Sequence, residues 1–159
     1  MDTQQLIKAF TATVQASLHG LESLHDLLQK EQDAILGKDP ERLEQLVKDK
    51  LELLKQLEYG VQARDRLQQA GGFAAGADGG QQFVDRVGQD SLGEEWRRLG
   101  ELGGQVAELN NRNGQLVVRG QHAARSALEI LTGRSRRDDT YTTLRRRGHA
   151  AASYSLGKV

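Results

Sequence analysis

"LLQKEQDAILGKDPERLEQLVKDKLELLKQLE", residues 27–58, decides the fold, because two leucine-rich helical patterns meet in it at a single short break. The break is "GKDPER", Gly37 to Arg42. Gly37 is suited to end one helix in a left-handed conformation, Asp39 to cap the next, and Pro40 to occupy its first turn. Helices joined by so short a turn pack side by side and antiparallel, as a hairpin.

Working outward toward the N-terminus, Ile7, Phe10, Val14, Leu21, Leu24, Leu28 and Ile35 fall three and four apart once Ser17 and Glu31 are admitted to the series. This heptad seam predicts a helix from about 3 to 36. Leu6, Leu18 and Leu27 widen the seam into a stripe able to face two partners. Toward the C-terminus, Leu43, Leu46, Val47, Leu53, Leu54, Leu57, Val61 and Leu67 supply the inner face of a second helix over 40–69. Lys50 interrupts that face. Reflection about the turn puts it near Asp26, so it either pairs there or lays its stem along the seam and keeps its charge in water.

"AGGFAAGADGG", residues 70–80, predicts a flexible glycine-rich link. "QQFVDRVGQ" has room for two turns of helix, and Ser91 with Glu94 has the spacing of a capping box. A third long helix then runs over 91–132, with Leu92, Leu99, Leu102, Val106, Leu109, Asn113, Leu116, Gly120, Ala123, Ala127 and Ile130 as its seam. The expected fold is all-α: an antiparallel left-handed bundle of three long helices with a short extra helical segment. Residues 1–133 form the bundle. Residues 134–159 form a flexible basic tail, too poor in aliphatic side chains to fold alone.

Charge and composition remove several functions. Lysine plus arginine equals aspartate plus glutamate, 22 each, so no overall field draws the chain to nucleic acid or a membrane. The last 26 residues carry a net +5 and the first 133 a net −5. The arginines of "RSRR" and "RRRG" are interrupted by Asp138 and Asp139 and follow a body that repels phosphate, so no nucleic acid is expected. No uncharged apolar run approaches the ~18 residues of a membrane helix, and no cysteine is present. The expected location is the cytoplasm, with no membrane insertion. "ESLH", Glu22 to His25, is a lone Glu-x-x-His, where a di-iron bundle needs two such pairs and two further glutamates. The glycine-rich link lacks a phosphate-binding motif. No nucleophile is placed beside a base. The chain is expected to be no enzyme and to hold no metal or other cofactor.

The third helix has a spare apolar set. Val117, Ala124, Leu128 and Leu131 cluster about 80° around the helix from the seam. The same helix carries Gly93, Gly100, Gly103, Gly104, Gly114 and Gly120, each costing about 1 kcal/mol relative to alanine in a helix interior. A helix so weakened gains by acquiring a partner. The opening stretch, followed at a distance by "LNNRNGQLV", "ALEILTG" and "TYT", resembles the FlgN family of flagellar export chaperones. The specific residues are Asn110, Asn113, Gly114 and Leu116, then Leu131, Gly133 and Tyr141.

The resemblance implies a non-enzymatic cytoplasmic chaperone for the hook-filament junction proteins, also called hook-associated proteins 1 and 3. It implies delivery of those clients to the export gate of the flagellar type III apparatus, with clients bound by the C-terminal region. The expected client site is Asn110, Asn113, Gly114, Leu116, Val117, Gly120, Ala124, Leu128 and Leu131. Tyr141 and Leu144 are the expected contacts of the tail with the export gate or another partner. The alternative is a self-assembling structural coiled coil, in which the spare set meets a second copy, and a weak homodimer belongs to the same expectation.

Overall fold

The computed structural model describes residues 1–131, and over them the chain is all-α. Four helices follow one another: α1 (Thr3–Leu36), α2 (Pro40–Ala70), α3 (Gly76–Val87) and α4 (Asp90–Leu131). The expectations about residues 134–159, Tyr141 and Leu144 among them, lie outside the described residues. The chain divides into two compact units, residues 1–116 and 117–159.

In the first unit, helix ends follow side-chain chemistry. The α1 amino end is a capping box, with the Gln5 backbone N–H donating to Asp2 Oδ1 at 2.7 Å and the Asp2 N–H to Gln5 Oε1 at 3.1 Å. Asp39 caps α2 by accepting the Arg42 N–H at 3.1 Å, and Pro40 is the first helical residue. The turn differs from expectation in one respect. Gly37 stays right-handed at φ −78°, and Lys38, at φ +51°, takes the left-handed position. A Cβ at Gly37 would stand 3.0 Å from the Asp33 carbonyl oxygen, so glycine is favoured there by space.

α1 and α2 pack antiparallel. Gly20 lies against Leu57, Gly60 against Ser17, and Gly71 against Leu6. A Cβ on Gly20 would come within 2.7 Å of Leu57 Cδ2, so this glycine sets the close approach of the two helices. The inner column of α2 is Leu43, Leu46, Lys50, Leu53, Leu57, Gly60, Arg64 and Leu67, all half-buried and spaced three and four apart. Val47, Leu54 and Val61, expected inside, are exposed by 36–42 %. The unbroken three-four rhythm runs through Lys50, Gly60 and Arg64, and places those three aliphatics one column to the side.

The glycine-rich segment is also corrected. Its irregular part is short, and α3 begins at Gly76, inside the stretch expected to be a flexible link. The glycines serve packing: a Cβ on Gly79 would lie 1.8 Å from the Ala74 carbonyl oxygen, and one on Gly80 would lie 2.3 Å from the Trp96 ring. Gln68, fully buried, clips the turn by donating its amide to the carbonyls of Ala74 (2.8 Å) and Gly76 (2.9 Å). α4 starts at Asp90, so Ser91 lies within the first turn and is not the cap.

Two apolar clusters fill this unit. The first joins Phe10, Val14 and Leu18 of α1 to Phe83 and Val84 of α3 and Leu92 of α4, with Trp96 against it. Its aromatic centre holds Phe10 and Phe83 ring centroids 4.2 Å apart and Phe10 and Trp96 5.9 Å apart. The second cluster is smaller, with Leu24, Leu28 and Val106 buried and Leu53, Leu57 and Leu109 beside it. Gln15 meets Glu95, Glu22 pairs with Arg98, and Leu28 meets Asn113, so α4 runs parallel to α1. Lys50 meets Asn110 and Arg64 stacks on Trp96, so α4 runs antiparallel to α2.

In the second unit, residues 117–131 are the carboxyl-terminal stretch of α4. Val117 is half-buried, while Val118, Ile130 and Leu131 are exposed.

Candidate functional site

α4 carries the candidate residues, and three side chains of the first unit fix its position. Glu31 sits at a seam position of α1 and is 3 % exposed. A carboxylate so withdrawn from water must be paired. Lys50 Nζ lies 2.7 Å from Glu31 Oε2, and Asn113 Nδ2 donates to Glu31 Oε1 at 3.1 Å and to the Leu28 carbonyl at 2.8 Å. Lys50 also donates to Asn110 Oδ1 at 3.3 Å. One carboxylate therefore ties α2 and α4 to α1. The expected partner of Lys50 was Asp26. Asp26 stands on the solvent face of α1 and Glu31 on the seam, so the lysine takes Glu31.

The motif residues separate into groups. Asn113 is 1 % exposed and turned into the bundle, and its Oδ1 has no partner among the described residues. Asn110 is exposed and engaged with Lys50. Leu116 and Val117 are half-buried. Gly114 and Gly120 are exposed, and a Cβ on either would meet nothing within 4 Å. Leu131 is exposed. Ala124 and Leu128 are helical positions of α4.

The seam of α4 follows the expected one through Leu116 and departs from it beyond, where Gly120, Ala123 and Ile130 are exposed. In the first unit Leu92, Val106 and Asn113 are buried, with Trp96, Leu99, Leu102, Leu109 and Leu116 half-buried. From Val106 the numbering steps by seven to Asn113, four to Val117, seven to Ala124, four to Leu128 and three to Leu131. On helical spacing alone, Val117, Ala124, Leu128 and Leu131 fall in line with Val106 and Asn113, two members of the expected seam.

Other features are accounted for by packing. Glu22 of the Glu-x-x-His pair is committed to Arg98, and no three His, Asp or Glu side chains gather among the described residues. Burial lowers the Arg64 pKa, with Asp65 acting in the opposite direction, and the guanidinium lies 5.2 Å from the centre of the Trp96 ring. The heptad placed Glu31 on the α1 seam without showing its partners, and no signal in the sequence singled out Gln68 or Arg64. Their roles depend on which side chains the hairpin brings opposite them.

Among the described residues no helix is long and apolar enough to cross a membrane. No curated protein and no solved structure is significantly similar to the chain. The family model described as FlgN protein matches residues 1–144, a span that takes in all four helices and the N-x-x-N-G-x-L run of Asn110 to Leu116. With that run seated on α1 and α2 through Asn113 and Asn110, the chain belongs to the FlgN family, a family of flagellar export chaperones.

Proposed function

We propose that this chain is a cytoplasmic chaperone that holds the helical ends of hook-associated proteins 1 and 3 and delivers them to the export gate of the flagellar type III apparatus. In this reading the three long helices wind as a left-handed bundle, and the carboxyl-terminal part of α4 carries the client surface. The observation that carries the proposal is a stripe at helical spacing. Val117, Ala124, Leu128 and Leu131 repeat the spacing that buries Val106 and Asn113, in the C-terminal region where the resemblance implies that clients bind. An amphipathic client helix with apolar residues at i, i+3, i+4 and i+7 matches such a stripe.

The motif residues then have two roles. Val117, Gly120, Ala124, Leu128 and Leu131 meet the client, with Gly114 and Leu116 at the near edge. Asn113 and Asn110 act indirectly, by holding α4 on the hairpin. Tyr141 and Leu144 contact the gate or the client from the basic tail.

Calorimetry against a helical C-terminal fragment of a hook-associated protein tests the assignment. Val117→Asp and Leu128→Asp each abolish capture, because an unpaired charge in an apolar contact costs several kcal/mol. Undiminished affinity in both variants removes the stripe from the client site. A self-associating coiled coil is the competing reading, favoured by the exposed row Val47, Leu51, Leu54 and Val61 on α2. Light scattering that stays at 17.5 kDa through micromolar concentrations rules it out.

A further inference from the structure

α4 is held in the first unit at two places that differ in kind. Its amino-terminal part belongs to the larger cluster, where Leu92 is buried and Trp96 packs near Phe10 and over Gly80. Its part from Gln105 to Leu116 rests on the smaller cluster, to which it gives Val106 and Leu109, and on the polar contacts of Asn113 and Asn110, while Leu102 before it touches both clusters. Between the two lie Gly103 and Gly104. A Cβ on Gly104 would meet nothing within 4 Å, and one on Gly103 would meet only Leu21, at 4.0 Å. Close packing therefore does not require glycine at either position, while each glycine weakens the helix locally.

We propose that residues 105–116 of α4 form a latched arm, which opens from the α1–α2 hairpin as a unit, with Gly103 and Gly104 as its hinge and the Glu31, Lys50 and Asn113 cluster as its latch. Small apolar clusters separated by a weak stretch of backbone open independently of the larger core. The latch centres on one side chain of the arm. Once Asn113 withdraws, Glu31 and the Leu28 carbonyl lose its amide together, while Glu31 keeps Lys50 and stays on the hairpin. Opening bares Leu24 and Leu28, which are otherwise buried. The proposal concerns the first unit and stands whether or not the client assignment does.

Hydrogen exchange with mass spectrometry on the full chain tests it. Asn113→Ala speeds exchange of the amides of 105–116 by about tenfold or more and leaves those of 90–99 unchanged. Gly103→Ala with Gly104→Ala slows exchange in 105–116 by a larger factor than in 90–99, a readout that survives even if the Asn113 variant folds poorly. Acceleration spread evenly over α1, α2 and α4 means that the helix opens only with the whole fold, and overturns the proposal. Unchanged exchange in 105–116 in both variants overturns it too.

Discussion

Lys50 Nζ lies 2.7 Å from Glu31 Oε2, and neither side chain has more than 17 % of its surface in water. Such a pair is costly to break from one side, because the remaining charge stays buried. Lys50→Met is therefore expected to lower stability by about 3 to 5 kcal/mol. Replacing Glu31, Lys50 and Asn113 together by leucine is expected to be neutral or stabilising, since apolar packing then substitutes for the whole cluster. Chemical denaturation of both variants checks the contrast, and equal losses would mean that the cluster contributes only through shape.

Leu24→Ala and Leu54→Ala separate the core from its margin. Leu24 is 2 % exposed, and its truncation is expected to cost about 2 to 5 kcal/mol. Leu54 is 42 % exposed, so the same change there should cost less than about 1 kcal/mol. Melting temperatures that fall equally in the two variants would contradict the assigned α2 column.

Glycine to alanine substitutions should change sign along the chain. Gly100→Ala and Gly104→Ala add a Cβ into open space within a helix, and each is expected to stabilise by about 0.5 to 1 kcal/mol. Gly80→Ala drives its Cβ against the Trp96 ring, and is expected to destabilise by about 1 to 3 kcal/mol. Thermal melts of the three variants settle the matter, and stabilisation by Gly80→Ala would refute the packing role given to that glycine.

Deleting residues 134–159 should leave the far-ultraviolet circular dichroism of the helices nearly unchanged while altering affinity for a client fragment or the gate by several-fold. The segment carries the net positive charge opposed to an acidic body, and electrostatic attraction of that kind acts on association. Identical affinities before and after deletion would confine partner binding to α4.

Much of the helix pattern was legible in the residues. Asp39 and Pro40 mark the start of α2 because cap chemistry is local, and Ser17 and Glu31 join the α1 seam because a heptad leaves no other place for them. The misreadings share a cause. In α2 the aliphatics Val47, Leu54 and Val61 drew the inner face away from Lys50, Gly60 and Arg64, whose burial depends on Glu31, Ser17 and Trp96 in other helices. In α4 the expected seam holds through Leu116, and its later members Gly120, Ala123 and Ile130 are exposed. Gly79 and Gly80, inside α3, read as freedom, because the Ala74 carbonyl and the Trp96 ring that require them are not visible from local sequence. At the candidate site Asn113 was legible as a polar residue on the seam, but its partners were not, since the Leu28 carbonyl is 85 residues away in the sequence.

The clip formed by Gln68 has a consequence for proteolysis. "AGGFAAGADGG" looks like the natural nicking point of the chain, small, polar and between helices. A protease needs an extended strand of backbone in its cleft, yet here the Ala74 and Gly76 carbonyls are already occupied by one buried amide, and the Gly76 N–H is held by Asp65 at 2.9 Å. Limited digestion should therefore spare this segment while Gln68 is intact, and Gln68→Ala should turn it into a cleavage site.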